Sequence, residues 1–373
     1  MTISEKAIWK YFPDLDAARF LAFLSVFIFH AINSSTMEYT ADNLIYQLSR
    51  QLLLVGHKGD EFFFCLSSFL ISYLLLKERN SFGEVNSKNF IIRRILRIWP
   101  LYFFFLAICF LMIPSVYELL NPGDTVLLPD AQAFLLFYAN FYMIKEYDFL
   151  FALTILWSIS VEEQFYLLWA FVGKLNLKLF PLLCSAFIVI SLVSHFTLEP
   201  GTVYFHSLSY GVDFGIGGLA AYFVFIEAKI IDSIRNLSRF VIALFYLAFI
   251  IVVLSYSYWE SSYFMSFLEY SVFAVLFGFF ILEQSFAKNS LFKLRHLPLL
   301  SWGGRLSYGL YVFHALALSV VGIGIGKYMN DTNLVVFVIK PILALMITIV
   351  LAWLSYRFLE TPFLRIKERF RPS

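Results

Sequence analysis

The feature that most restricts this chain is a succession of apolar blocks, most of them about 17 to 22 residues long. An α-helix rising 1.5 Å per residue needs about that length to cross a hydrocarbon layer about 30 Å thick. Blocks near residues 16–33, 60–76, 99–116, 151–172, 180–196, 207–226, 241–256, 267–285, 306–325 and 342–358 predict an all-α polytopic membrane bundle of about ten transmembrane helices. A shorter apolar stretch, 131–144, lies between acidic residues and predicts an interfacial or re-entrant segment. Only 14% of the 373 residues are charged and 60% are hydrophobic, against about 25% charged in a typical soluble domain. Bilayer, not water, is the expected solvent.

Loop charge gives the bundle a direction, because cytoplasmic loops carry the excess of Lys and Arg. With the N-terminus inside, the segments expected in the cytoplasm hold 22 of them, and the outer segments hold five: Arg50, Lys58, Lys145, Lys327 and Lys340. Both termini are therefore expected in the cytoplasm. The first block carries Arg19 and His30 and is followed by no small-residue cleavage site, which excludes a signal peptide. Cys65, Cys109 and Cys184 lie in apolar spans at no metal-ligand spacing and read as small hydrophobes, so neither a disulfide nor a metal site is expected. A net charge of +2 is accounted for by the inner loops and implies no nucleic-acid partner. The chain reads as a single domain over 1–373 with no appended soluble domain, and it shows neither an internal repeat nor the paired broken helices that build transporter sites.

Ionisable side chains at bilayer depth cost about 2.5 to 3.5 kcal/mol on insertion scales, so each is a candidate site residue. Arg19 and His30, eleven residues apart, share a helix face about 16 Å apart along the axis. Their structural alternative is a snorkelling anchor and a helix–helix hydrogen bond. Arg93, Arg94 and Arg97 stand at the mouth of the third span, where guanidinium forks suit phosphate oxygens but also serve as topology determinants. Glu162 and Glu163 fall midway along the fourth span beside Ser158 and Ser160, projecting about 100° apart. Glu61, Asp213, His314 and Glu360 complete the set, with Glu61 at the outer start of the second span and Glu360 closing the last.

These residues sit in motifs that resemble acyltransferase family 3, the multi-spanning acyltransferases of bacterial surface glycans and some small molecules. WSISVEEQFYLLW, from Trp157 to Trp169, is close to the family's WSLSVEEQFYLLW. Around it, in the family's order, are the Arg19-x10-His30 pair, GDEFFFCLSSFLI, the Arg-x-x-Arg of Arg94 and Arg97 before IWPLY, SYGLYVFH and the final ETP. Two positions depart from the pattern: Ser68 stands where glycine is common and Glu61 where aspartate is common.

The resemblance implies a stand-alone enzyme of the bacterial inner membrane that takes acetyl-CoA as co-substrate, binds no permanent cofactor and acylates a hydroxyl of a surface or lipid-linked glycan. Arg19, Arg94 and Arg97 would then serve donor binding, and His30 would be the general base, a role contributing about 10² to 10⁴ in rate. Glu162 or Glu61 is available to orient that imidazole, and an acyl-imidazole at His30 is an alternative route. Acylation of a small molecule or lipid, or a transporter of another class, are the competing readings.

Overall fold

The computed structural model describes residues 12–33, 53–120, 122–123, 125–173, 177–256, 263–326, 329, 332 and 334–372. Lys6, Lys10, Arg50, Lys174 and Lys327, counted above in the loop charge, lie outside the described residues. Helices build the fold, and no strand occurs among the described residues. The main ones are α1 (Pro13–Asn33), α2 (Lys58–Phe82), α3 (Ser87–Ala107), α4 (Trp157–Val172), α5 (Phe180–Thr197), α6 (Gly211–Ile226), α7 (Arg239–Leu254), α8 (Tyr263–Phe286), α9 (Ser307–Gly326), α10 (Lys340–Ser355) and α11 (Thr361–Lys367).

Local chemistry sets several of their ends. α1 opens on Pro13, whose missing N–H costs nothing at a first helical position, with Asp14 and Asp16 favourably placed in the first turn. α2 closes at Gly83, held at φ 82° with its N–H on the Arg79 carbonyl, a left-handed cap that glycine adopts without a Cβ clash.

The described residues gather into two compact units. One is drawn from Met1–Phe29, Tyr39–Val85 and Phe171–Arg305, the other from His30–Glu38, Asn86–Ala170 and Leu306–Ser373. In the first, α6 lies against α2 at Gly217, where an added Cβ would collide with the Cys65 carbonyl oxygen. The Ser68 hydroxyl donates to the Phe214 carbonyl at 2.6 Å across the same contact. The hydroxyl that replaces the family's usual glycine thus fastens the two helices. A cluster that includes Phe12, Phe69, Tyr73, Phe277 and Phe286 fills the interior of this unit.

In the second unit α9 packs on α10 at Gly309, where a Cβ would lie 3.1 Å from the Ala352 Cα. The stretch 131–144 forms two five-residue helices, Ala131–Leu135 and Ala139–Met143, separated by Phe137 at φ 56°. Tyr102 donates to the Phe134 carbonyl at 2.8 Å, and Gln164 donates to Phe137 O and Asn140 Oδ1 at 2.8 and 2.9 Å. Side chains of α3 and α4 thereby satisfy backbone that the short helices leave open.

Among the described residues eight helices are long and apolar enough to cross a membrane: Pro13–Ile32, Val55–Phe82, Ser87–Leu119, Leu177–Thr197, Ser207–Ile226, Met265–Phe286, Ser307–Gly326 and Val335–Phe370. The other two expected spans hold 16-residue helices, α4 and α7. α7 follows the helix Ala228–Arg235 at an 85° bend, and that pair makes a ninth if it is one broken crossing. The apolar block 151–172 is interrupted by a turn at Ile155–Leu156. The Ile155 carbonyl exposed there accepts from the Ser158 and Tyr311 hydroxyls, both at 3.2 Å. A hydropathy window registers no such break, because most residues around it are apolar.

Candidate active site

In the second unit the segment Ser307–His314 sets Tyr308, Tyr311 and His314 three residues apart on α9, which lays them along a face that winds about 120° around the helix. Six residues at 1.5 Å separate the first from the last by about 9 Å along the axis. Each meets a different partner element. Tyr308 donates to the Ile98 carbonyl of α3 at 2.8 Å. The Tyr311 hydroxyl lies 2.6 Å from that of Ser158, at the start of α4. The His314 ring lies against the His30 ring, with centroids 5.3 Å apart and planes at 37°.

His314 is fully buried, and its Nδ1 is 2.5 Å from the Tyr311 carbonyl oxygen. A carbonyl only accepts, so Nδ1 carries the hydrogen and Nε2 of the neutral ring is left as an acceptor. His30 is half-buried and also meets the edge of Phe151, with ring centroids 5.5 Å apart. Two imidazoles therefore meet at this end of the α9 face.

Toward Tyr308 the surroundings turn charged, with Glu360, Glu163 and Glu162 within electrostatic reach of its ring hydroxyl. Arg94 lies between the rings of Phe90 and Tyr166, 5.6 and 5.4 Å from their centroids, and within electrostatic reach of Arg93, Arg97 and Glu162. Tyr166 donates to Glu162, and Glu163 accepts from the Trp99 indole at 3.1 Å. Glu360 accepts from Ser355 at 3.0 Å and feels the charge of Arg97. Lys367 on α11 lies near both Arg94 and Arg97. Arg93 donates to the Phe370 carbonyl at 2.7 Å, tying α3 to the segment after α11. Among the described residues this cluster thus holds four cations and three carboxylates.

The structure therefore brings together Arg93, Arg94, Arg97, Glu162, Glu163 and Glu360 at one end of the α9 face, and His30 with His314 at the other. Ser158 lies between them on Tyr311. Ser160 serves its own helix, donating to the Leu156 carbonyl at 3.3 Å.

The remaining candidates belong to the first unit. Arg19 pairs with Asp16 one turn earlier on α1. Glu61 accepts from Lys58 at 2.6 Å, and Lys58 also meets Glu269 at 2.5 Å while its ammonium lies 4.0 Å from the Tyr270 ring centroid. Asp213 is fully buried, and neither of its carboxylate oxygens has a hydrogen-bond partner among the described residues.

Sequence reasoning passes over Lys58, Glu269, Tyr308, Tyr311 and Lys367. Lys58 stands at the edge of its apolar block and reads as an outer-loop residue, whereas Glu269 sits inside an expected span and bears the ordinary signal of a buried charge. The three-residue spacing of Tyr308, Tyr311 and His314 was available as a pattern. Its partners were not.

A family model described as an acyltransferase domain matches residues 12–357 of this chain. The chain belongs to acyltransferase family 3. The matched range takes in every candidate above except Glu360 and Lys367.

Among curated relatives of this acyltransferase, a provisionally named O-acetyltransferase of Staphylococcus aureus (strain COL) is 27% identical over 95% of this chain and 57% of its own length. The peptidoglycan O-acetyltransferase OatA of Listeria monocytogenes is 27% identical over 95% of this chain and 56% of its own. The O-acetyltransferase OatA of S. aureus (strain NCTC 8325) is 28% identical over 95% and 57%. The chain thus spans little more than half the length of these relatives. No solved structure matches it. Family membership and the long apolar helices make it a multi-pass membrane protein carrying an acyltransferase domain.

Proposed function

We propose that this acyltransferase moves an acetyl group from acetyl-CoA to a hydroxyl of a surface polysaccharide or lipid-linked glycan in the bacterial inner membrane. The observation that carries the reading is the α9 face, whose Tyr308 end meets α3, the helix that bears the arginine cluster, and whose His314 end, about 9 Å along the axis from Tyr308, holds an imidazole pair. A long donor has two chemically different ends. Its phosphates call for guanidinium forks, which Arg94 and Arg97 supply. Its thioester calls for a base beside the acceptor hydroxyl, which His30 supplies.

In this mechanism His30 takes the hydroxyl proton as the acceptor oxygen attacks the thioester carbon. The C–S bond then breaks, and CoA leaves as thiolate and is protonated to the thiol. His314, with Nδ1 committed to the Tyr311 carbonyl, keeps Nε2 as an acceptor beside the His30 ring. A His30 N–H turned onto that nitrogen in the substrate complex would fix which His30 nitrogen keeps its lone pair, the orienting role that a carboxylate plays in other acyl-transfer sites. Glu162, bonded to Tyr166 and near Arg94, serves the donor end instead. Glu61 balances Lys58.

The acceptor assignment draws on the OatA relatives, one of them named for peptidoglycan. The direction of the bundle, with ten crossings and both termini in the cytoplasm, rests on the loop count of 22 cations against five. Mass spectrometry of surface glycans from cells with and without the gene tests the function. One acetyl increment should disappear with the gene and return with the wild-type chain. An unchanged acetylation pattern would refute the reading.

A further inference from the structure

The chain leaving α8 carries a feature that acyl transfer does not use. Residues 287–300 read AKNSLFKLRHLPLL, alternating cations with large apolar side chains. They fold around a hollow of about 550 Å³ lined by Gln284, Lys288, Lys293, Arg295 and His296 among others. α8 is long and apolar enough to cross a membrane and ends at Phe286, so this segment begins where a bilayer surface begins. Leu291, Phe292, Leu297 and Leu299 are all exposed beside the cations. Exposed leucines and an aromatic ring interspersed with Lys and Arg suit the boundary between headgroups and acyl chains.

The hollow is anchored rather than loose. Lys293 donates to the Glu283 and Gln284 carbonyls at 2.9 and 2.6 Å, capping the open end of α8. Arg295 donates its backbone N–H to Asp14 at 2.8 Å, while its guanidinium stays 3.9 Å from that carboxylate and half exposed. The Lys288 N–H donates to the Arg235 carbonyl at 3.1 Å, and its side chain is exposed. Among the described residues the anions facing the group are Asp14 and Glu283, and Arg235 is paired with Asp232. Lys288, Lys293 and Arg295, with His296 beside them, therefore outnumber the anions.

We propose that this hollow binds the phosphate headgroup of an anionic phospholipid, with Lys288 and Arg295 on the phosphate and Leu291 and Phe292 against the adjoining acyl chains. A soluble phosphate would satisfy the cations but leave the apolar rim in water. The site is independent of the acyl-transfer reading.

The test titrates the full chain, in a neutral detergent, with short-chain phosphatidylglycerol or phosphatidylcholine and counts bound lipid by native mass spectrometry. Phosphatidylglycerol should bind at least about fivefold more tightly, and Lys288→Gln with Arg295→Gln should weaken it about thirtyfold, more than it weakens phosphatidylcholine, whose choline offsets its phosphate. Should that double variant lose its fold, Lys288→Gln alone should cost about fivefold. Leu291→Ser with Phe292→Ser should also weaken phosphatidylglycerol binding. Equal affinity for the two lipids, or full affinity in the folded charge variants, would overturn the proposal. So would displacement of the lipid by inorganic pyrophosphate at an equal concentration, which would make this a soluble-anion site.

Discussion

Lys58 is fully buried with Glu61 and Glu269 on its ammonium at 2.6 and 2.5 Å, so its removal strands two carboxylates in the protein interior, with Asp60 and Asp213 nearby. Breaking a buried pair by deleting one partner costs about 3 to 5 kcal/mol. Lys58→Met should therefore lower the thermal unfolding midpoint sharply, and adding Glu61→Gln and Glu269→Gln should restore most of it. A midpoint unchanged by Lys58→Met would show that the ion pairs contribute nothing. Arg94 is held differently, between the rings of Phe90 and Tyr166, a setting that suits a broad, weakly hydrated guanidinium better than a compact ammonium. Arg94→Lys should raise the KM for acetyl-CoA about tenfold while kcat changes little, as measured by steady-state kinetics with varied donor. Equal KM values would remove Arg94 from donor binding. His30, Arg94 and Glu162 were legible as single residues, because a charge inside an apolar run stands out. The second partner of Lys58 was not legible, since Glu269 lies far along the chain and only packing brings it there.

Helices were legible where apolar runs are continuous, and less so where they break. The run 151–172 contains a turn whose freed carbonyl is covered by hydroxyls from Ser158 and Tyr311, an arrangement that depends on α9 and leaves no trace in local hydropathy. The 131–144 stretch was recognisable as too short to cross, but not as two helices pinned by Tyr102 and Gln164. Close approach between helices is set by small residues, and Gly217 is such a case in the first unit, since a Cβ there would meet backbone rather than a yielding side chain. Gly217→Val should destabilise the protein by about 1 to 3 kcal/mol. Its thermal midpoint in detergent should fall, whereas Gly201→Ala, where nothing lies within 4 Å of an added Cβ, should leave the midpoint nearly unchanged. Equal behaviour of the two variants would contradict the packing assigned to α6 and α2.

At the scale of the molecule, the solvent and the order of motifs were plain from sequence, and the sorting of polar residues was not. Spacing placed Arg19 and His30 on one helix, which α1 bears out, yet the two compact units divide between Phe29 and His30. His30 consequently belongs with Arg94, Glu162, His314 and Glu360, while Arg19, Glu61 and Asp213 belong to the other unit. No pattern along the chain announces that division, because each unit is assembled from separated segments. Loop charge makes a further prediction about the whole chain: a single-cysteine label introduced at Ser81 or Ser290 should react only from the cytoplasmic side of intact cells. Labelling from outside at either position would reverse the bundle. The central claim is acyl transfer from acetyl-CoA with His30 as base, and reconstituted protein tests it most directly. Purified chain in liposomes, given radiolabelled acetyl-CoA and a glycan acceptor, should transfer label to the acceptor. His30→Ala, folded to the same thermal midpoint, should do so at least about 10² times more slowly. Transfer by His30→Ala at the wild-type rate would contradict the account.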